Sequence, residues 1–330
     1  MGASRSGTTL MSRILGWHPL LLATNELHYF GDLCDPFDLE QPLPEEQAVA
    51  VAATLYARFR RGLWQDMPDE RDYGDARALV AGLCSALDGR VLFEAFLRQL
   101  ALDQVANIIV EQTPRNIYYA QRLLEAYPEA RIVHMVRDPR AVLASQKKRW
   151  TRRWRLKARN IPWREALREW VAYHPVTMCL LWQKAYVEGT ALAGHPRYLR
   201  LRFEDLLERP AAAVEALCAF LGVGFHATML EVEQVDSSLR AADEGACGVQ
   251  ARAAGEWKSV LDAGEVFLVE KMLGRPMAEL GYRPEGQSAY SALFSLAWHG
   301  LRFPFHVVAT LLIDPRRFLI QLKGVLRRAF

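Results

Sequence analysis

Cysteine is scarce: five are scattered through 330 residues, at Cys34, Cys84, Cys179, Cys218 and Cys247. An odd number with no close pair excludes a disulfide framework and a zinc site, and suits a reducing compartment. Charge of one sign is also lacking. A formal net charge of +3 sets up no global field of the kind a nucleic-acid binder presents, so no nucleic-acid partner is expected. No low-complexity tract occurs, and no Pro-, Gly- or Ser-rich linker divides the first 280 residues. The uninterrupted apolar stretches are too short to cross a bilayer. Met1 leads straight into a glycine-rich loop, which leaves no room for a signal peptide or an N-terminal anchor and implies a cytoplasmic location.

What remains, 51% hydrophobic and 24% charged residues, is the composition of a globular protein with a sizeable core. Short apolar runs at Leu20 to Ala23, Asn107 to Glu111, Ala130 to Val136 and Tyr198 to Phe203 read as buried strands. Helical spacing appears from Leu10 to Gly16, over 45–63 and 75–105, from Asn116 to Tyr127, from Arg140 to Trp150, as one long helix from Glu165 to Gly189, and around Val214 to Leu221. Strands alternating with helices predict parallel βαβ units. The expected fold is α/β: a three-layer P-loop fold with a central, mainly parallel sheet flanked by helices, spanning 1–285, and a helical, amphipathic C-terminal tail over 286–330. A phosphate loop normally follows a strand. Only Met1 precedes this one, so the first strand is either absent or upstream of Met1.

Gly2-Ala3-Ser4-Arg5-Ser6-Gly7-Thr8-Thr9 has P-loop glycine spacing, with Thr9 at the Ser/Thr position and Thr8 where a nucleotidase carries lysine. The missing lysine argues against ATP or GTP hydrolysis, while the glycines and the helix start still favour an anion, with Arg5 supplying a cation. An ordinary glycine turn is the plainer alternative. A basic run follows the third strand, from Lys147, Lys148 and Arg149 through Arg152, Arg153, Arg155, Lys157 and Arg159, with Trp150 and Trp154 between them. It reads as an anion-facing loop or as a solvated helix face.

The segment Arg5-Ser6-Gly7-Thr8-Thr9 resembles the 5′-phosphosulfate loop of the sulfotransferases that use 3′-phosphoadenosine 5′-phosphosulfate (PAPS), in the arginine form of tyrosylprotein sulfotransferases and bacterial relatives. Val136-Arg137-Asp138-Pro139 through Ser145 is similar to that family's 3′-phosphate segment. The resemblance implies a PAPS donor gripped by Arg5, Ser6, Gly7, Thr8 and Thr9 at one end and by Arg137 and Ser145 at the other. It implies Trp257 stacked on adenine, with Lys258 and Arg252 as further phosphate contacts and no metal. A core tryptophan is the alternative for Trp257. Gln112 stands where relatives often have lysine, and Phe203 where many have tyrosine.

By its distance from Arg5, Glu26 resembles the family's catalytic glutamate, with His28 as the rival base; in an extended 24–28 segment the two share a face. A structural ion pair is the alternative for Glu26, and His18 and His134 read as structural. The acceptor would be a hydroxyl on a glycan, a lipid or a tyrosine, and the basic run suits an acidic or membrane-borne one. The tail, ending in an arginine-bearing helix, suits peripheral attachment to an anionic membrane surface. Packing on the core or on a second copy is the alternative, which leaves a homodimer open. The rival functions are a P-loop small-molecule kinase and a non-catalytic nucleotide-binding membrane scaffold.

Overall fold

A computed structural model describes residues 1–83, 87–151, 163–232, 255–313 and 315. Arg152, Arg153, Trp154, Arg155, Lys157, Arg159, Arg252, Cys84, Cys247 and the end of the tail fall outside them. Among the described residues four strands form: β1 Leu21–Ala23, β2 Ile108–Val110, β3 Ile132–Val136 and β4 Tyr198–Arg202. Both strand pairings are parallel, β1 with β2 and β3 with β4, as βαβ connection requires. The two pairs meet through the chain start. The Met1 carbonyl accepts from the Met135 amide at 2.8 Å, Gly2 bridges Met135, and the Gly2 amide donates to Pro114 O at 2.9 Å. Where the sequence lacks a strand before the loop, Met1 and Gly2 thus occupy ladder positions beside β3.

Twelve α-helices complete the described chain. Those before β2 are α1 Thr8–Gly16, α2 Glu45–Arg61, α3 Glu70–Ala81 and α4 Gly89–Asp103; between β2 and β4 come α5 Ala120–Ala126, α6 Pro139–Lys147, α7 Trp163–Val171 and α8 Pro175–Ala191. Beyond β4 lie α9 Phe203–Glu208, α10 Pro210–Leu221, α11 Ala263–Glu279 and α12 Ala289–Ile313.

Three helical expectations need correction. The pattern over 75–105 is two helices, because Asp69 opens α3 with a reciprocal capping box and Asp88 opens α4 by accepting from the Val91 amide at 2.7 Å. The long helix expected from Glu165 breaks at His174-Pro175: Pro175 has no amide to continue a helix but suits a first turn, which His174 caps. Asn116 to Tyr127 begins as a 3₁₀ turn, Pro114–Tyr119, before α5 takes over.

The tail is corrected as well. Arg302, Pro304 and His306 interrupt the apolar runs on paper, yet α12 passes through all three. Tyr290–Ile313 is 24 residues long and holds an 18-residue window with a mean hydropathy of 1.3, long and apolar enough to cross a membrane by length and composition alone. Helix geometry averages residues that a reading of consecutive runs separates, and His299 and His306 turn toward the body, where they find partners.

Three apolar clusters take up the first loop and the elements that follow it. Ala3 joins the cluster of Val142, Trp182, Trp257 and Leu273; Met11 and Ile14 join that of Leu201, Phe203 and Leu217; and Leu27, just past β1, joins that of Tyr29, Leu55 and Phe96. Buried area of this kind contributes about 25 cal/mol per Å² and holds Ala3 of the loop, the helix that follows it and the segment past β1 in place.

Candidate functional site

Each strand delivers a site residue just past its carboxyl end, where open α/β sheets bind ligands. β1 leads to Glu26 and His28, β2 to Gln112 and Thr113, β3 to Arg137, and β4 to Phe203 and Glu204.

The loop Gly2 to Gly7 ends in a left-handed Gly7, φ 90°, as the N-cap of α1. A Cβ there would run into the Phe203 ring, so both conformation and contact require glycine. With no side-chain cap, the first-turn amides of α1 are open to an anion. The Ser6 amide is committed to Ala3 O at 3.1 Å. Its hydroxyl, fully buried, has no hydrogen-bond partner among the described residues. Arg5 also adopts a positive φ, 78°, and donates from Nε to Ser145 Oγ at 3.0 Å.

Arg137 is formed by local chemistry. Asp138 caps α6 by accepting from the Arg140 amide at 2.9 Å, Pro139 takes the first turn, and the Arg140 guanidinium folds back on Asp138 and onto Glu270. Arg137 is therefore the residue left at the strand end. Its Nη1 donates to Arg5 O at 3.2 Å, and its guanidinium lies 4.4 Å from the Phe203 ring centroid. Burial pulls its pKa below the ordinary value, against the charges of Glu204 and Asp138. Phe203, where a hydroxyl was missed, thus packs between Gly7 and Arg137.

A cavity of about 410 Å³ is lined by Ser4, Arg5 and Thr9 from the first loop and α1, and by Glu26, His28 and Arg149 among others. His28 Nε2 and Glu26 Oε2 are 2.9 Å apart. The shared face expected of an extended segment is reached otherwise, since His28 is left-handed, φ 48° and ψ 37°. Of the three non-glycine residues with positive φ among those described, Arg5, His28 and Val105, two border this cavity; such strain gathers at functional sites. His28 is held there by its amide donating to Thr113 Oγ1 at 3.0 Å and by Arg58 Nη1 reaching Leu27 O and His28 O at 2.8 and 3.2 Å.

Burial acts to raise the Glu26 pKa, but the hydrogen bond and charge of His28, then Arg149 and Gln112, outweigh it and hold the carboxyl below its ordinary range. Glu26 is thus ionised and able to take a proton. Gln112 joins the two sides, with its Nε2 3.3 Å from Glu26 Oε1 and 3.5 Å from Thr8 Oγ1.

Sequence reasoning missed Arg58, Gln112 in this linking role, and the α7 residues Arg168 and Glu169 that line the cavity. A basic residue inside an amphipathic helix carries no signal that it will hold a loop 30 residues away. Of the basic run, Arg149 borders the cavity and pairs with Glu169 at 2.6 Å, whereas Lys147 turns to Glu265 at 2.7 Å. Trp257 and Lys258 do not line the cavity. Trp257 is core, with the Arg140 guanidinium 4.4 Å from its ring, and Lys258 pairs with Glu285; the adjacent Glu256 does lie near enough to raise the Arg137 pKa. Arg137 and Ser145 also stand behind Arg5 rather than on the cavity wall. His18 bonds Gly224 O and the Leu20 amide, and His134 the Tyr198 hydroxyl, as structural histidines do.

Asp262, Glu265 and His299 bring ligand atoms within 4.8 Å of one another, but Asp262 and Glu265 cap α11 and Lys147 and Tyr173 occupy Glu265. They are accounted for without a cation.

Comparison with known proteins gives consistent matches. The sequence profile described as the sulfotransferase family matches residues 1–227. The nodulation protein NoeE of Sinorhizobium fredii is 24% identical, over 88% of this chain and 67% of that protein. The omega-hydroxy-beta-dihydromenaquinone-9 sulfotransferase Stf3 of Mycobacterium tuberculosis is 30% identical over 41% of this chain, and the matched part spans 33% of that enzyme. Among solved structures, the sulfotransferase domain from the curacin biosynthetic pathway superposes with a TM-score of 0.52 at 18% identity, covering 86% of this chain and 96% of that one.

Proposed function

The chain belongs to the sulfotransferase family, and from that premise we propose that it transfers the sulfuryl group of PAPS to an acceptor hydroxyl, in line, with Glu26 as base. The observation that carries the reading is the bond from Arg5 in the phosphate loop to Ser145, with Arg137 on the same Arg5 residue. The two motifs, some 130 positions apart in sequence, form one assembly, on what we take to be a three-layer P-loop scaffold. The orphaned Ser6 hydroxyl and the glycine-only turn at Gly7 fit an anionic group.

When bound, the donor supplies a sulfuryl group on a phosphate leaving group. Arg5, the Ser6 hydroxyl and the first-turn amides of Thr8 and Thr9 neutralise the negative charge that gathers on that phosphate. Arg137 and Ser145 hold the nucleotide's other phosphate by charge-assisted bonds. Glu26 takes the acceptor hydroxyl proton, and His28 and Gln112 keep its carboxylate ionised and aimed. The acceptor oxygen–sulfur bond forms as the sulfur–phosphate oxygen bond breaks, leaving a sulfate ester and 3′-phosphoadenosine 5′-phosphate. No step calls for a metal. The aromatic and cationic lining of the acceptor side, Tyr118, Tyr173, Arg149 and Lys184, suits an amphiphilic or acidic acceptor. The mycobacterial relative is named for a hydroxylated menaquinone, which favours a membrane-borne acceptor and a cytoplasmic enzyme peripheral on the membrane.

Thermal shift tests the donor. Selective stabilisation by 3′-phosphoadenosine 5′-phosphate over ATP and ADP, lost in Arg137→Ala, is expected. An equal response to ATP would favour a kinase, and binding without turnover on any hydroxyl acceptor a scaffold.

A further inference from the structure

α7 has two unlike sides. Arg168 and Glu169, with Ala172 and Tyr173 just past its end, line the cavity, whereas Trp163, Leu167 and Trp170 point to solvent, 60%, 44% and 51% exposed. α12 packs beside it, with His306 Nδ1 2.8 Å from Val171 O. The inner side of α12 is docked: Ser295 bonds Asp262, and His174 Nε2 reaches His299 O at 3.0 Å. Its outer side is an apolar stripe at helical spacing, Tyr290, Phe294, Trp298, Leu301, Phe305 and Leu312, each more than half exposed. A contiguous apolar face of this length marks an interaction site.

We propose that α7 and α12 together seat the protein on an anionic lipid bilayer, with α12 lying in the headgroup plane, so that acceptor molecules reach the cavity past α7. The charges select this occupant. The Arg164 guanidinium lies 5.7 Å from the ring of Trp163 and that of Arg302 5.9 Å from the ring of Trp298. An exposed indole with a guanidinium beside it suits the boundary where acyl chains meet phosphate. Arg302 is the one charged residue in Tyr290–Ile313, and the sequence beyond adds Arg316, Arg317, Lys323, Arg327 and Arg328 against Asp314. Anionic lipid neutralises such a set; a second copy packed on the same stripe would confront it with its own like charges. Spanning is disfavoured although the length allows it, because a helix leaving for the bilayer core would abandon the Asp262, His174 and Val171 contacts. Lying flat keeps them.

The proposal rests on the sulfuryl-transfer reading only in naming what is delivered, an amphiphile with a hydroxyl. Its test is flotation of the full chain with phosphatidylcholine vesicles and with equal mixtures of phosphatidylcholine and phosphatidylglycerol. Salt-sensitive binding to the mixed vesicles is expected, weakened roughly tenfold or more by Leu301→Glu with Phe305→Glu. Trp163→Ala with Trp170→Ala should weaken it by a smaller factor, and both pairs should keep the wild-type melting temperature. If the glutamate pair melts early, Trp298→Ser serves in its place. No preference for anionic vesicles, unchanged binding in the variants, or a concentration-dependent dimer that these substitutions dissolve would overturn the proposal. Vesicle binding in a protein that ignores 3′-phosphoadenosine 5′-phosphate would sink the transfer reading alone and leave the seat standing.

Discussion

The phosphate-loop side and the Glu26 side of the cavity are built by different means. The first is mostly backbone and local motif: a left-handed Gly7, a helix start, and Arg137 set in place by Asp138 and Pro139 beside it. The second is assembled from distant side chains, with His28 fixed by Arg58 from α2 and Thr113 just past β2, and Glu26 by Gln112 and the field of Arg149. One side can be specified by a few adjacent residues. The other needs the whole fold before it exists, and it should be the easier of the two to damage without unfolding the protein.

The largest effect expected is on turnover. Glu26→Gln keeps the shape and the amide contacts but loses the base, and should lower kcat roughly a hundredfold to ten-thousandfold. Affinity for 3′-phosphoadenosine 5′-phosphate, measured by calorimetry, should hold. A parallel loss of nucleotide affinity would mean that the two sides are one. His28→Asn separates the rival bases: if histidine is the base, this variant and not Glu26→Gln loses the greater part of the activity.

Acid should next act through stability, at buried histidines that belong to neither side. His174 is buried and pushed down to about 4 by desolvation, and His134, on β3, to about 3. Both are depressed below the unfolded value of 6.5, so above that pH neither charges in either state. As pH falls below 6.5, the unfolded chain takes protons that the fold refuses, and each histidine removes about 1.4 kcal/mol per pH unit until its folded pKa is reached. His174, which caps α8 and bonds His299 O, charges first. Hydrogen exchange near pH 4 should therefore quicken in α8 and α12 before β3, and His174→Asn, which keeps a capping oxygen, should flatten the acid limb of urea stability.

Arg137→Ala comes third. Loss of a charge-assisted contact amounts to about 1.5–3 kcal/mol, or roughly ten- to a hundredfold in nucleotide affinity, with kcat at saturating donor changed far less. An equal loss of both would place Arg137 at the reacting atoms instead.

How far the molecule was legible follows the same division. The strands ending before Glu26, Gln112, Arg137 and Phe203 could be read because each is a short apolar run closed by a polar or proline turn. Arg5, Arg137 and Ser145 were singled out by a resemblance over two local motifs, and the structure brings the three together. Arg58 and the α7 residues were not, since their partners are set by packing and by no pattern along the chain. The length of α12 went unseen for a related reason: a run-length criterion counts consecutive residues, whereas a helix sorts them by face, so Arg302 and His306 interrupted a line without interrupting a stripe. Trp257 shows the reverse, an aromatic whose burial under Arg140 only the three-dimensional contact reveals.

Gln112 is the place where the comparison is sharpest and the expected effect smallest. Its amide lies between Thr8 Oγ1 and Glu26 Oε1, a neutral link where a lysine would bring a charge. Gln112→Leu removes two long hydrogen bonds worth about 1 kcal/mol each at most, so kcat should fall by roughly thirtyfold at most. The pH profile carries more information than the rate. The Gln112 bond is one of the contributions that lower the Glu26 pKa; without it the carboxyl rises, and the acidic limb of kcat moves to higher pH. A base that must be ionised is lost earlier as protons are added, so the shift has that sign and no other. A rate loss with an unmoved limb would assign Gln112 to the phosphate loop through Thr8, and the two sides would then be independent where their side chains come closest.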